Sequence, residues 1–310
     1  MRLVFCGTDD FCVPTLSALF DNFFVAAVVT EPDRPSGRGL KIVASRPKQM
    51  AIEHGVPCLQ PEKLVGNKEF IGELKKINPD VIVVAAYGQF LPNELLELPK
   101  YGCLNVHPSL LPKFRGPSPI QSALLNDDKS TGVTIIKLNS KMDAGDIVGQ
   151  VESPIDEDDD YFSMEKKLSE LGARLLVESL PKYVAEKIVL RKQDDSAATI
   201  CRIIKKEDAI IDWNESAVSI ANKVRAFVKW PVASTKFLGK KLEIIKAQPM
   251  LLSVEKKYKV GEVFDCLNKK CVQCGDGALQ LEKVKLEGKR ETPVNDFVNG
   301  HQNFVGTILG

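Results

Sequence analysis

The sequence predicts an α/β protein with a mostly parallel sheet and helices on both faces, followed by a small β-rich domain. Three observations predict this class. Short apolar runs alternate with helical patterns in the first half, and the runs 81–86 and 103–106 are apolar in both phases, as strands covered on both faces are. After about residue 205 the pattern changes to short alternating segments. The chain has 310 residues, and because one core usually holds about 100–200, two domains are expected.

The first domain is predicted to begin with an apolar strand at 2–6 and a tight turn at Gly7-Thr8. Helical spacing predicts a helix over 11–20 with Asp9 or Asp10 as its N-cap. Apolar and β-branched runs predict further strands at 25–30, 81–86, 103–106 and 133–138. Further helices are predicted at 47–54, 118–125 and 161–187. The β-α-β-α alternation is typical of a Rossmann-like sheet, whose ligands lie beyond the carboxyl ends of the strands.

The second domain is predicted to be a small OB-like open barrel. Short alternating segments predict strands at 242–245, 260–263 and 279–284, separated by Gly and Asn-Lys turns. The polar stretch 193–198 is typical of a linker. We therefore divide the chain into a first domain at 1–190, a linker at 191–206 and a second domain at 207–310.

The composition is that of a soluble globular protein. Hydrophobic residues make up 44% and charged residues 27%. The longest aliphatic run, 81–86, has six residues, whereas a membrane span needs about 20. The N-terminus resembles neither a secretion signal nor a transit peptide. We expect a cytoplasmic monomer with no membrane partner, whose eight cysteines are reduced thiols.

The net charge of +1 hides an uneven distribution. Residues 201–310 hold 19 Lys and Arg against 13 Asp and Glu, a net charge of +6, whereas residues 1–200 have a net charge of −5. A polyanionic partner is therefore expected to meet the C-terminal part, although a merely well-solvated basic surface stays an open interpretation.

Three polar side chains are the candidate catalytic residues. Asn105 and His107 alternate with Val106 at the end of a predicted strand, so both point to one face. Asp143 follows the strand at 133–138. Asn and His can donate hydrogen bonds to an oxygen that becomes negative, and a carboxylate can orient the imidazole and relay protons. This set suits acyl or formyl transfer to an amine. A histidine bound to a backbone carbonyl, with an aspartate capping a turn, is the structural alternative.

Other chemistries fit less well. Ser109 could suggest a Ser-His-Asp hydrolase, but no G-x-S-x-G is present and Ser109 is only two residues from His107. The acidic run 156–160 suits the positive end of the following helix better than a metal site. Cys271 and Cys274 form half of a zinc pattern without a second pair. We expect no bound metal.

Several motifs resemble those of the folate-dependent formyltransferases. They are V-F-C-G-T-D-D-F at 4–11, A-Y-G at 86–88, N-V-H-P-S-L-L-P-K-F-R-G at 105–116 and D-A-G-D at 143–146. The segments E-P-D-R-P-S-G-R-G at 31–39 and K-E-D-A-I-I-D-W at 206–213 resemble the branch that formylates aminoacyl-tRNA. The resemblance spans the chain and is densest before residue 150. The family often has G-T-P-D-F where this chain has G-T-D-D-F.

The resemblance implies 10-formyltetrahydrofolate as formyl donor and the α-amino group of initiator methionyl-tRNA as acceptor, for translation initiation. It makes Asn105, His107 and Asp143 the catalytic residues and the second domain a tRNA-binding β-barrel. The residues that it implies for folate binding are Gln89, Phe90, Leu91, Ser109, Leu110, Leu111 and Pro112. Those implied for tRNA binding are Arg38, Lys41, Lys205 and Lys206.

Two other functions stay open at this level. The same chemistry could transfer the formyl group to a sugar-nucleotide amine or hydrolyse 10-formyltetrahydrofolate. Salt-dependent tRNA binding through Arg38 and the basic second domain would argue against both of these functions. A non-catalytic RNA-binding protein on an enzyme scaffold would bind RNA without formyl transfer.

Overall fold

The chain folds into two compact units. The computed structural model describes residues 1–36, 41–250 and 258–310. One unit comprises Met1–Pro119, Ser130–Pro154 and Glu165–Cys201, and the other comprises Ile120–Lys129, Ile155–Met164 and Arg202–Gly310. Within the described ranges, no helix is both long enough and apolar enough to cross a membrane.

The N-terminal 200 residues alternate strands and helices. The strands are β1 (Arg2–Cys6), β2 (Phe24–Val29), β3 (Arg34–Ser36), β4 (Lys41–Val43), β5 (Cys58–Leu59), β6 (Val81–Val84), β7 (Cys103–His107), β8 (Ser130–Lys137) and β9 (Asp146–Pro154). The helices are α1 (Val13–Asn22), α2 (Arg46–Glu53), α3 (Lys68–Ile77), α4 (Asn93–Leu96), α5 (Pro119–Leu125) and α6 (Tyr161–Val184). Asp9 accepts a hydrogen bond from the Phe11 amide and so caps a short 3₁₀ turn ahead of α1.

Seven of these strands form one sheet in the order β5-β2-β1-β6-β7-β8-β9. The pairs from β5 to β7 are parallel, whereas β8 and β9 are added antiparallel. All four residues of β6 are buried, which explains why this strand is apolar in both phases. The predicted mostly parallel, Rossmann-like sheet with helices is confirmed.

Helix α6 lies directly against β7. A Cβ built on Gly172 would be 2.6 Å from Cγ1 of Val106 and 3.2 Å from Cγ1 of Val133, so only a glycine allows this approach. Val106 is 1% exposed. Because side chains alternate along a strand, Asn105 and His107 point to the face away from Val106.

The acidic run before α6 caps the helix, as the sequence predicts. Asp160 accepts a hydrogen bond from the Ser163 amide at 3.0 Å, and the Ser163 hydroxyl accepts one from the Asp160 amide at 3.0 Å. Asp159 is buried and accepts a hydrogen bond from the Asp156 amide at 2.8 Å. These carboxylates therefore satisfy amides at a helix start, where negative charge is stabilised.

The second unit is built on an antiparallel sheet. Its elements are α7 (Ala217–Ala226), β10 (Ser234–Phe237), β11 (Lys240–Met250), β12 (Val263–Cys266), β13 (Lys269–Gln273), β14 (Ala278–Leu286), β15 (Thr292–Pro293) and α8 (Val294–Asn299). The strand order is β10-β11-β14-β13-β12, and β15 pairs with β14. Its core includes Trp213, Phe237, Leu281 and Phe304. This curled half-barrel confirms the predicted small β-rich domain.

Candidate active site

The site is built at the carboxyl end of β7. This strand is parallel to β6, where Val84 pairs with Asn105, and antiparallel to β8, where Thr134 pairs with His107. Asn105 is half-buried, and His107 is 4% exposed. The structure therefore places both side chains where the alternation of the sequence predicts them.

Asp143 lies in the loop between β8 and β9, with a φ of 48° that few residues other than glycine adopt. Its Oδ2 accepts a hydrogen bond from the Gly116 amide at 2.8 Å and lies 3.7 Å from Nδ1 of His107. Its Oδ1 accepts a long hydrogen bond from Nδ2 of Asn105 at 3.4 Å. The side chain of Asp143, which is 14% exposed, thus lies next to both of the other candidate residues, Asn105 and His107.

The tautomer of His107 follows from its second contact. Nε2 lies 2.9 Å from the carbonyl oxygen of Phe114. Because a carbonyl only accepts, Nε2 carries a hydrogen and donates it. Nδ1 is then the nitrogen that faces Asp143 and can gain or lose a proton there. The structural alternative, a histidine bound to a backbone carbonyl, therefore describes Nε2 of His107. Nδ1 still faces Asp143 and is available for catalysis.

Sequence reasoning missed three residues that surround Asp143. Gly116 supplies the amide on Oδ2, and Gln193 donates to the carbonyl oxygens of Asp143 and Gly145. Arg115 donates from Nε to the side-chain oxygen of Gln193 at 3.0 Å. Gly116 and Arg115 lie within the motif at 105–116, but Gln193 lies 50 residues beyond Asp143 with no local pattern that marks it.

The segment after His107 is tied tightly to the sheet. Ser109 is fully buried, and its hydroxyl donates to the Lys113 carbonyl at 2.6 Å. The backbone amide of Leu111 donates to the Thr134 hydroxyl, and the side-chain Nε2 of Gln150 donates to the Leu111 carbonyl. Since the Ser109 hydroxyl is committed in this way, the geometry does not favour a serine nucleophile. Leu110 and Pro112 are half-buried and complete the segment.

The segment after β6 carries the other residues implied for folate. The Gln89 side chain bonds to the backbone of Leu64 and Pro61 at 3.2 Å each, so its role is local and structural. Phe90 is 58% exposed, whereas Leu91 is buried in the core beside β6. The two segments, 89–91 and 109–112, follow neighbouring parallel strands of the sheet. Neither segment contains a charged residue, and Phe90 alone among their seven residues is more than half exposed.

The residues implied for tRNA binding do not all fall within the described structure. Arg38 lies outside the described residues, and Lys41 begins β4 with its side chain outside them. Lys205 and Lys206 are both exposed. The Lys205 amide donates to Asp208 at 2.7 Å, and Arg202 forms a bidentate pair with the same carboxylate, which lowers the pKa of Asp208.

The cysteines form no metal centre within the described ranges, where no group of three or more His, Cys, Asp or Glu side chains could hold an ion. All eight cysteines are free thiols. Burial raises the pKa of Cys274 to about 12 and that of Cys271 to about 11. Both thiols therefore behave as small apolar side chains.

The fold and the site together define a class of enzyme. A Rossmann-like sheet brings a side-chain amide and an imidazole at the end of β7 next to a carboxylate from the loop between β8 and β9, and such groups can serve group transfer through a developing oxyanion. The chain belongs to the formyl transferase family. The family model described as formyl transferase matches residues 1–180, and the model described as formyl transferase, C-terminal domain, matches residues 203–302.

Full-length relatives sharpen this assignment. A methionyl-tRNA formyltransferase from Caldanaerobacter subterraneus subsp. tengcongensis is 43% identical over 310 residues, which cover 100% of both chains. One from Methylococcus capsulatus is 43% identical over 311 residues, again covering 100% of both. Among solved structures, the sugar 3N-formyl transferase WlaRD superposes with a TM-score of 0.67 at 18% identity, covering 94% of this chain and 99% of WlaRD. That similarity concerns the fold alone.

Proposed function

We propose that this protein transfers the formyl group of 10-formyltetrahydrofolate to the α-amino group of initiator methionyl-tRNA. The observation that carries the chemistry is that Asn105 and His107 both lie next to the carboxylate of Asp143. The acceptor is supported by relatives that match the whole chain and act, by name, on methionyl-tRNA. The net charge of +6 on residues 201–310 fits a polyanionic acceptor.

The two donors are placed to stabilise the negative charge that develops. 10-Formyltetrahydrofolate supplies an electrophilic formyl carbon, and attack by the free amine moves negative charge onto the formyl oxygen. Among the residues that the structure describes, Asn105 Nδ2 makes one long bond, to Asp143, so it can turn a hydrogen toward that oxygen. Nδ1 of His107, when protonated, is the second donor. Each such donor contributes about 10²–10³ in rate.

The carboxylate of Asp143 is placed to accept and transfer the protons that move during formyl transfer. The amine must lose one proton, and the departing folate nitrogen must gain one. Asp143 lies 3.7 Å from Nδ1 of His107, a gap that a small movement or a water closes. Asp143 accepts the amine proton and passes it, directly or through a water, to the departing folate nitrogen, which leaves as the protonated amine of tetrahydrofolate and restores the carboxylate. His107 stays oriented because the Phe114 carbonyl holds its other nitrogen.

The proposed substrate positions follow the two loops and the basic C-terminal residues 201–310. Residues 89–91 and 109–112 receive the pterin ring, chiefly through backbone groups, because the side chains of Gln89, Ser109 and Leu111 are committed to local contacts. Lys205 and Lys206, together with Arg38 and Lys41, bind phosphates of the tRNA. The first domain, at 1–190, performs the chemistry, and the second, at 207–310, holds the tRNA.

A transfer assay tests this proposal. Labelled formyl from 10-formyltetrahydrofolate is offered with initiator methionyl-tRNA, elongator methionyl-tRNA or a dTDP-amino sugar. Label should enter initiator methionyl-tRNA at a kcat/KM well above that for the other two acceptors. Label that enters only the amino sugar, or is released as formate, would show that the acceptor is a sugar-nucleotide amine or water.

A further inference from the structure

One side-chain amide outside the proposed catalytic residues holds the loop that carries Asp143. Nε2 of Gln193 donates to the carbonyl oxygen of Asp143 at 2.7 Å and to that of Gly145 at 2.8 Å. Both hydrogens of one amide are thus used on a single short loop. Gln193 is half-buried, so water competes less for these bonds than at an exposed position.

Arg115 fixes which way this amide faces. Nε of Arg115 donates to Oε1 of Gln193 at 3.0 Å, and Nη2 donates to Asp195 at 2.7 Å. The Arg115 side chain is 12% exposed. A flipped amide would set its oxygen against two carbonyls and its nitrogen against a guanidinium, and neither pair can hydrogen-bond. The donors of Gln193 therefore point at the loop.

The loop itself needs such support. Asp143 has a φ of 48°, and a Cβ on Gly145 would lie 1.9 Å from the Lys137 carbonyl oxygen, so the backbone is both strained and closely packed. The backbone of Arg191 pairs with Ile147 in both directions, at 2.8 and 3.0 Å, and this anchors the segment that presents Gln193. Residues 191–195 thus lie along the Asp143 loop.

We infer that Gln193 is a positioning residue for the reaction. It keeps the carboxylate of Asp143 within reach of His107 and Asn105, and Arg115 fixes the orientation of the Gln193 amide. This inference rests on the proposed function, because it assigns Gln193 an effect through the carboxylate of Asp143. The contacts at stake are the 2.8 Å bond from Gly116 and the distances of 3.4 and 3.7 Å to Asn105 and His107. A displaced loop lengthens all three together.

Two substitutions of Gln193 separate the hydrogen bonds from the bulk of the side chain. Gln193→Ala removes the amide, and Gln193→Glu keeps the size and the Arg115 contact but puts a carboxylate oxygen against two carbonyls. Each should lower kcat by about 10–100-fold, the effect of a reacting group misplaced by up to about 1 Å, and leave KM for tRNA nearly unchanged. Asn22→Ala, which removes an exposed side-chain amide at the end of α1 in the first unit, is the matched control.

A double-mutant cycle with Asp143→Asn gives the decisive readout. If Gln193 acts through Asp143, Gln193→Ala should cause no further loss of single-turnover rate in the Asp143→Asn background. Independent, multiplicative losses, or wild-type kcat in both Gln193 variants, would overturn the inference. If Gln193→Ala proves unfolded by its melting curve, the near-isosteric Gln193→Glu variant decides alone. A wild-type chain without formyl transfer would instead overturn the proposed function, and this inference with it.

Discussion

At the scale of single residues, the candidate catalytic side chains Asn105 and His107 lie around the carboxylate of Asp143. Asp143 accepts hydrogen bonds from a backbone amide and from Asn105, and it faces the free nitrogen of His107. The strand brings two of the three side chains together, and a strained loop brings the third. These three partners all lie within residues 105–116, whereas Asp143 lies at least 27 residues further along the chain, so the site depends on the sheet to bring the two segments together.

The burial of Cys12 and Cys103 in the first unit gives a prediction about thiol reactivity. Burial raises the pKa of Cys103 to about 12 and raises that of Cys12 further still. A raised pKa moves thiolate formation to higher pH, and the thiolate is the reactive species. Iodoacetamide at pH 8, followed by peptide mass spectrometry, should therefore leave Cys12 and Cys103 unmodified in the folded protein.

The half-buried Cys58 and Cys266 provide the comparison. They should be alkylated first, and all eight cysteines should react at similar rates once the protein is unfolded in urea. Rapid modification of Cys103 in the folded protein, at the rate of Cys266, would contradict the burial that the structure gives it.

The sequence predicts some of these residues and not others. The alternation in Asn105-Val106-His107 suffices to place two side chains on one face. The amide of Gly116 and the side chain of Gln193 reach Asp143 across 27 and 50 residues. Contacts of that sequence separation arise from tertiary packing, so no spacing rule could assign them. The polar stretch 193–198 is typical of a linker because nothing in its local sequence shows that Gln193 contacts the loop of Asp143.

At the scale of elements, the strands that carry the site were the best predicted. The strand at 2–6 has the predicted bounds, and the strand predicted at 103–106 continues to His107. Buried strands that are apolar in both phases give a strong signal. The helix Lys68–Ile77 was missed although Phe70, Ile71 and Leu74 form its buried face. The strand predicted at 260–263 was wrong, because β12 begins only at Val263.

The approach of α6 to β7 gives a prediction for this scale. Gly172→Ala should lower the free energy of unfolding by about 1–3 kcal/mol, the usual cost of overpacking. The new methyl would meet Val106 at 2.6 Å, and the β-branched Val106 has few alternative rotamers. Displacement of β7 should lower kcat as well. Urea denaturation and steady-state kinetics measure the two effects.

Gly72 in α3 is the matched control. Apart from the backbone of α3 itself, a Cβ there would meet no atom of the described residues within 4 Å. Gly72→Ala should therefore raise the free energy of unfolding by up to about 1 kcal/mol through helix propensity, with kcat unchanged. Equal stability changes for the two variants would show that Gly172 is not needed for close packing against β7.

At the scale of the whole molecule, the charge distribution parallels the division into two family domains. The formyl transferase model matches 1–180 and the C-terminal model matches 203–302, while the net charge is −5 over residues 1–200 and +6 over 201–310. A near-neutral total therefore hides a basic C-terminal part suited to a polyanion. The uneven charge follows from the sequence alone, whereas the tRNA contacts at Arg38, Lys41, Lys205 and Lys206 rest on the family resemblance, because surface cations carry no pattern that identifies them.

Salt dependence tests the role of the basic part. The affinity for methionyl-tRNA should fall linearly in a plot of log K against log salt, since each phosphate contact releases a counterion. Lys205→Ala and Lys206→Ala should each reduce the slope by about 1. Filter binding over a salt series measures both. The exposed Lys75 in α3 supplies the control, and slopes that Lys75→Ala and Lys206→Ala change equally would argue against a tRNA contact at Lys206.

The most direct test of the proposed catalytic residues is the single-turnover rate of formyl transfer to initiator methionyl-tRNA with all substrates saturating. Asn105→Ala, His107→Ala and Asp143→Ala should each lower this rate by about 10²-fold or more, because each removes a hydrogen-bond donor or the proton acceptor of the reaction. Their tRNA dissociation constants should stay near that of the wild type. Wild-type single-turnover rates in all three variants would contradict the account.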